Sequence, residues 1–293
     1  MRPVARMLPV GLAAGLAAGL AAAPSPAAAE TYATCTGFID ALPAVIASPG
    51  TWCLRHDVST PQSTGVALKV EANNVTIDCN GFRFGGLAAG AGTQTVGIGT
   101  ESRLNTTVRG CHIRGFLYGV RLLYGGGHLV EDSRVEASTT AGILVWGDGS
   151  MIRGNRIFDT GGTTVTANLG GAAAIQALGT VDVLDNTIVN VVPSATGSGY
   201  AEAMGIATYS GQGSTVTGNR VRGLVKQGAA VAYGIYINNA DRSVVADNHV
   251  MANGDGSAGT GVFCLATAVR AIGNVVVGFT TPMSGCVDAG NSL

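Results

Sequence analysis

The chemistry this chain could do rests on arginines at fixed offsets from a repeated anchor. The anchors are Asn80, Cys111, Ser133, Asn155, Asn186, Asn219, Asn248 and Asn274. One residue after an anchor stand His112, Arg134, Arg156, Thr187, Arg220 and His249. Three after stand Arg83, Arg114, Glu136 and Arg222, and two before stand Asp78, Arg109, Glu131 and Arg153. A guanidinium is a planar fork of donors that pairs with a carboxylate through two bonds. Several on one face suit an anionic chain such as a uronate polymer. The column Asp78, Arg109, Glu131, Arg153 alternates in sign and reads as a salt-bridge ladder that needs no ligand. The column His112, Arg134, Arg156 does not alternate, and Glu131 and Glu136 neutralise only part of it. What remains, with Arg220, Arg222 and His249 on the same face, is a candidate binding surface; the competing reading is a pure surface ladder.

These offsets mean something only if the anchors stack. An aliphatic residue lies three before each anchor, from Ile77 to Ala271, and an apolar residue lies two after, from Phe82 and Ile113 to Val276. Anchor spacings are 31, 22, 22, 31, 33, 29 and 26. A second fixed point is a Gly before a β-branched residue, as in Gly119-Val120, Gly142-Ile143, Gly205-Ile206 and Gly234-Ile235, with Ala174-Ile175 as a variant. From that point to the next anchor the distance is 12 to 15 residues, whereas from an anchor to the next such point it is 8 to 19. One half of each unit therefore keeps register and the other absorbs insertions, which is the length rule of a stacked solenoid. Apolar residues alternate at period two with Val and Ile inward, so the units are strands.

After the Gly points a second outward face presents Arg121, Leu123, Trp146, Gln176, Tyr209, Tyr236, Phe263 and Leu265. Aromatics are 5% of the chain, so this gathering of Trp146, Tyr209, Tyr236 and Phe263 is uneven. Rings stack on flat apolar surfaces, sugar faces included. The alternative is that insertions or a terminal segment cover them. The insertions span 83–96, 158–173, 189–204, 222–233 and 251–260, all at one corner. They read either as plain surface loops or as a cleft wall.

The motif Ile152-Arg153-Gly154-Asn155-Arg156-Ile157 and its copies resemble the pectate-lyase-like superfamily over roughly residues 50–290. The resemblance implies an all-β, right-handed parallel β-helix of about eight to nine coils. It also implies that Asn80, Asn155, Asn186, Asn219, Asn248 and Asn274 stack and hydrogen-bond along the coil axis, with breaks at Cys111 and Ser133. Enzymes of that superfamily cleave acidic polysaccharides by lyase or hydrolase chemistry. Hydrolases need paired carboxylates, and no outward pair is present. Asp132, Asp185 and Asp247 share a position, but Gly110, Gly154, Gly218 and Gly273 fill the alternate coils, which reads as turn geometry rather than a calcium site. No catalytic residue carries over by motif, and no cofactor is expected; calcium fits the resemblance but has no acid cluster to support it.

Residues 1–29 have a positive start at Arg2 and Arg6, an apolar stretch over 8–23, and Ala27-Ala28-Ala29 before Glu30. This reads as a secretory signal rather than an Ala/Gly tail, and it is too short and weakly apolar for a membrane span. Residues 30–293 are then one domain, secreted or periplasmic. Of 17 basic residues 15 remain against 18 acidic, which argues against a nucleic-acid partner. Residues 30–50 are the expected N-terminal cap, with an amphipathic helix over 38–47. Six cysteines suggest three disulfides among fifteen pairings. Stacking favours Cys79 with Cys111 and Cys264 with Cys286, leaving Cys35 for Cys53; metal binding is the rival reading, without a Cys-x-x-Cys to support it. Two functions follow. One is an exported protein that binds or degrades an anionic, uronate-type polysaccharide, lyase-like if catalytic. The other is a non-catalytic cell-surface, adhesion or structural protein whose rigid rod is its function.

Overall fold

In one repeat, Ala141–Asp148 turns Ile143 and Val145 inward, Ser150–Arg153 turns Ile152 inward, and Arg156–Thr160 turns Ile157 inward. All four side chains are fully buried. Each strand pairs in parallel with its counterpart one repeat on: Ile143 opposite Ile175, Ile152 opposite Val183, Ile157 opposite Ile188. Like therefore stacks on like, and β-branched side chains fill the interior at strand spacing. This computed structural model describes residues 32–165, 171–194, 200–228, 230–253, 259–266 and 268–293.

Repetition builds three parallel sheets of 11, 10 and 9 strands. The eleven-stranded sheet runs from Gly37–Phe38 to Val287–Asp288, the ten-stranded from Ala44–Ile46 to Thr281–Ser284, and the nine-stranded from Val58–Ser59 to Val275–Val277. The chain visits them in the order ten, eleven, nine, giving a right-handed parallel β-helix whose nine turns contain all three. Disulfides join Cys35 to Cys53, Cys79 to Cys111 and Cys264 to Cys286. The insertions occupy the corner that leads from the nine-stranded to the ten-stranded sheet. Two of them are linked there by an antiparallel pair, Tyr200 opposite Gly228 and Ala201 opposite Gln227.

The anchors occupy the corner between the eleven- and nine-stranded sheets. Asn155, Asn186, Asn219, Asn248 and Asn274 are buried and form a continuous ladder. Asn219 shows the unit. Its Nδ2 donates to Val183 O at 2.9 Å and to Asn248 Oδ1 at 3.0 Å, while its Oδ1 accepts from Asn186 N and Nδ2 at 2.9 and 3.0 Å. The ends differ from expectation. Ser133 continues the ladder: its N donates to Asn155 Oδ1 and its Oγ accepts from Cys111 N, both at 3.1 Å. A hydroxyl supplies the acceptor an amide supplies elsewhere. Asn291 extends the other end, accepting from Asn274 N and Nδ2. Asn80 lies outside the ladder and donates to Leu54 O.

From Cys111 onward the residue before each anchor has positive φ. Asp132, Asp185 and Asp247 (φ 47, 56 and 54) alternate with Gly154, Gly218 and Gly273 (φ 65, 69 and 64). Each aspartate Oδ1 occupies the space a Cβ on the next coil's glycine would need. The Gly points have a different cause: a Cβ on Gly205 would meet the carbonyl of Gly234 at 2.5 Å and would overlap Val221 Cγ1.

The expected capping helix over 38–47 is absent. Gly37–Phe38 and Ala44–Ile46 are strands that begin the stack. Pro43 has no N–H to donate inside a helix, and burial of Ile39 and Ile46 with Val45 left 57% exposed follows the sheet instead. The strand after Asn80 also starts late, at Arg83 (Arg83–Gly85). Asn80 and Gly81 both adopt positive φ (48 and 78), so the chain enters the sheet two residues further on. Phe84, not Phe82, is the buried residue opposite Ile113.

Candidate functional site

Strand register on the nine-stranded sheet aligns Arg83, His112, Arg134, Arg156, Thr187, Arg220 and His249 in one outward column. A second column holds Arg114, Glu136, Phe158, Val189, Arg222 and Met251. Two placements differ from the sequence reading. Arg83 belongs to the first column because of its late strand. Arg109 and Arg153 do not share this face, because the anchor is a corner and the residue two before it lies on the eleven-stranded sheet. There Arg109 pairs with Asp78 at 2.8 Å and Arg153 with Glu131 at 2.7 Å. Glu131 is thereby committed and neutralises nothing in the arginine column.

Asp57 reaches Arg83 at 3.9 Å at the start of the column, and Glu136 does the rest. It is 9% exposed and sits among an imidazole and two guanidiniums: His112 Nε2 at 3.1 Å, Arg114 Nε at 3.1 Å and Arg134 Nη2 at 2.6 Å. Arg134 also lies 4.5 Å over the Phe158 ring. Burial acts to raise the Glu136 pKa, but the hydrogen bonds from His112 and Arg134 outweigh it and hold the carboxyl below its ordinary value. Its contribution to stability is thus present above the ordinary carboxylate pKa and is lost as pH falls through the depressed one. Glu136→Gln should flatten the acid limb of a stability–pH curve followed by thermal melts; an unaltered acid limb would refute the assignment.

The other half of the face has no such partner. Arg156, Arg220, Arg222 and His249 make no ion pair among the described residues. Arg220, Arg222, His249, Thr187 and Met251 line a depression of about 300 Å³. Arg220 and Arg222 project from one strand, and Arg156 lies two coils away across Thr187, so these like charges repel.

The ten-stranded sheet carries the aromatic face, in three columns. Trp146, Leu178 and Tyr209 align; so do Gln176, Ala207, Tyr236 and Phe263; Met204 and Tyr233 form a third. Trp146 and Tyr209 share a depression of about 370 Å³ with Arg121, Gln176 and Tyr118. Trp146 packs 4.5 Å from Tyr124, and Leu265 is exposed. Tyr233 and Met204, which sequence reasoning did not place here, also belong to this face. The signal was the Gly point: Gly234 and Gly205 interrupt the alternation, so the residue before each faces outward as well. Among the described residues no group of three or more His, Cys, Asp or Glu could hold a metal. No described helix is long and apolar enough to cross a membrane.

The right handed beta helix region family matches this sequence over residues 54–221 and 96–282. A search of curated proteins found no match. Among solved structures, the Dettilon tailspike protein (gp208) superposes with a TM-score of 0.53 at 15% identity, over 87% of this chain and 51% of that one. The chain thus spans about half the length of that tailspike, and the likeness is one of fold.

Proposed function

The chain belongs to the right-handed beta helix family, and from that premise we propose that it is exported and binds an anionic, uronate-type polysaccharide along the nine-stranded sheet. The observation that carries this reading is the group Arg156, Arg220, Arg222 and His249 on one face, none of which makes an ion pair among the described residues. A carboxylate on successive sugars would pair with these forks and relieve their repulsion. His112 and Arg134, already held by Glu136, extend the surface at lower charge. Trp146, Tyr209 and Tyr236 offer ring platforms on the neighbouring sheet. Export is supported by the leader-like segment 1–29, which lies outside the described residues, and by three disulfides.

The Arg156→Ala, Arg220→Ala, Arg222→Ala triple variant should weaken binding of polygalacturonate or alginate by about a hundredfold or more. Calorimetry at two salt concentrations reads this out, since screening should mimic the substitutions. Arg109→Ala with Arg153→Ala is the control on the other sheet. Retained affinity in the triple variant would remove the reading. If the protein is catalytic, lyase chemistry would release unsaturated products detectable by ultraviolet absorbance. The second reading is a non-catalytic surface, adhesion or structural rod. Binding without product across such substrates would select it.

A further inference from the structure

The outer face of the eleven-stranded sheet has two unlike halves. In the first, Asp78 pairs with Arg109 and Glu131 with Arg153, so the charges are met within the chain. That column then continues as Leu184, Thr217, Ala246 and Ile272 and carries no further charge. The column beside it runs Met151, Asp182, Thr215, Val244, Arg270 and Val287. Val183, Val216, Val245 and Ala271 alternate with these residues and are fully buried, so both columns face outward. Ile272 is 36% and Val287 50% exposed, and Leu184, Val244 and Ala246 are partly exposed. A contiguous exposed apolar patch of this kind marks a contact surface.

The two charges in the second column are what identify the partner. Asp182 and Arg270 make no ion pair among the described residues. They stand three coils apart, roughly 14 Å at strand spacing, too far to meet each other. The pattern is self-complementary on reversal. Lay a second copy face to face with its coil order reversed, about a two-fold axis that runs along the strands between Thr215 and Val244. Asp182 then lies opposite the second copy's Arg270, and Arg270 opposite its Asp182. In the same arrangement Leu184 meets Ile272, Thr217 meets Ala246, and Met151 meets Val287. Packed sheets lie about 10 Å apart, a gap that Arg and Asp side chains span together. Keeping the coil order instead sets Asp182 against Leu184 and Arg270 against Ile272, which buries both charges on aliphatic groups.

We propose that this face is a homodimer interface, in which two copies pack antiparallel through the later coils of the eleven-stranded sheet. Opposite charges at the two ends of an uncharged patch suit an isologous contact. The arginine and aromatic sheets stay free, so the interface does not depend on the uronate reading.

Sedimentation velocity of the full chain over a concentration series should show a monomer–dimer equilibrium. Asp182→Arg sets two arginines opposite each other at both contacts, and Arg270→Asp sets two aspartates. Each alone should raise the dimer Kd by at least about tenfold. Mixed in equal amounts, the two variants should associate with near wild-type affinity, because both contacts in the heterodimer are again Arg with Asp. The double variant Asp182→Arg with Arg270→Asp should dimerise with itself for the same reason. These recoveries separate a lost contact from a misfolded chain. A wild-type chain that stays monomeric up to about 0.1 mM would overturn the interface. So would single variants that dimerise like the wild type, or a mixture that associates no better than its components.

Discussion

Replacing Asn219 by Ala should cost about 3–6 kcal/mol of stability, because several buried partners are stranded at once at about 1–3 kcal/mol each. Val183 O loses its donor, Asn248 Oδ1 loses one of two, and Asn186 N and Nδ2 lose their acceptor. None of these groups gains water, since Asn186, Asn219 and Asn248 are all buried. Chemical denaturation of the variant reads the loss directly. Asn80→Gly is the control: that amide is partly exposed and outside the ladder, and glycine keeps its φ of 48 without strain, so its loss should cost under about 1 kcal/mol. Equal costs at the two positions would mean that stacking the amides adds nothing.

The second large effect is expected at Cys79 and Cys111. The bond closes a separation of 32 residues, for which loop-closure entropy gives about 3–4 kcal/mol. It also stands where the ladder ends. Asn155 to Asn291 hold successive coils through amides, Ser133 through a hydroxyl, and Cys111 reaches the preceding coil through sulfur instead. Cys79→Ala with Cys111→Ala should therefore lower the Tm and expose the first coils to proteolysis before the rest. Hydrogen exchange that stays uniform along the stack, with an unchanged Tm, would show that the early coils do not need the covalent link.

The stacking was legible in the sequence because the half of each unit between Gly point and anchor keeps its length. Inward Ile152, Val183 and Val216 could be aligned by counting alone. The reasons behind the fixed points were not legible, because they lie on the adjacent coil: Gly205 is small on account of the Gly234 carbonyl. The first turn was misread because Phe38, Ile39, Leu42, Val45 and Ile46 fit helical spacing too. The parallel strand pairing of Ala44–Ile46 with Leu68–Val70 decided against it. The candidate surface was split where a counting rule treated a corner as flat. Residues on either side of Asn155, such as Arg153 and Arg156, point from different sheets. Tyr233 and Met204 escaped because a Gly point shifts the parity of everything before it.

The aspartates and glycines before the anchors keep strict time: Asp132, Gly154, Asp185, Gly218, Asp247, Gly273. Insert a duplicate of any one turn and two aspartates meet, each needing the room the other's Cβ takes, or two glycines meet and leave a gap. Duplicate two turns and every neighbour is preserved. The stackable unit of this rod is therefore a doublet, and adding or removing turns in pairs should preserve the fold where single turns do not.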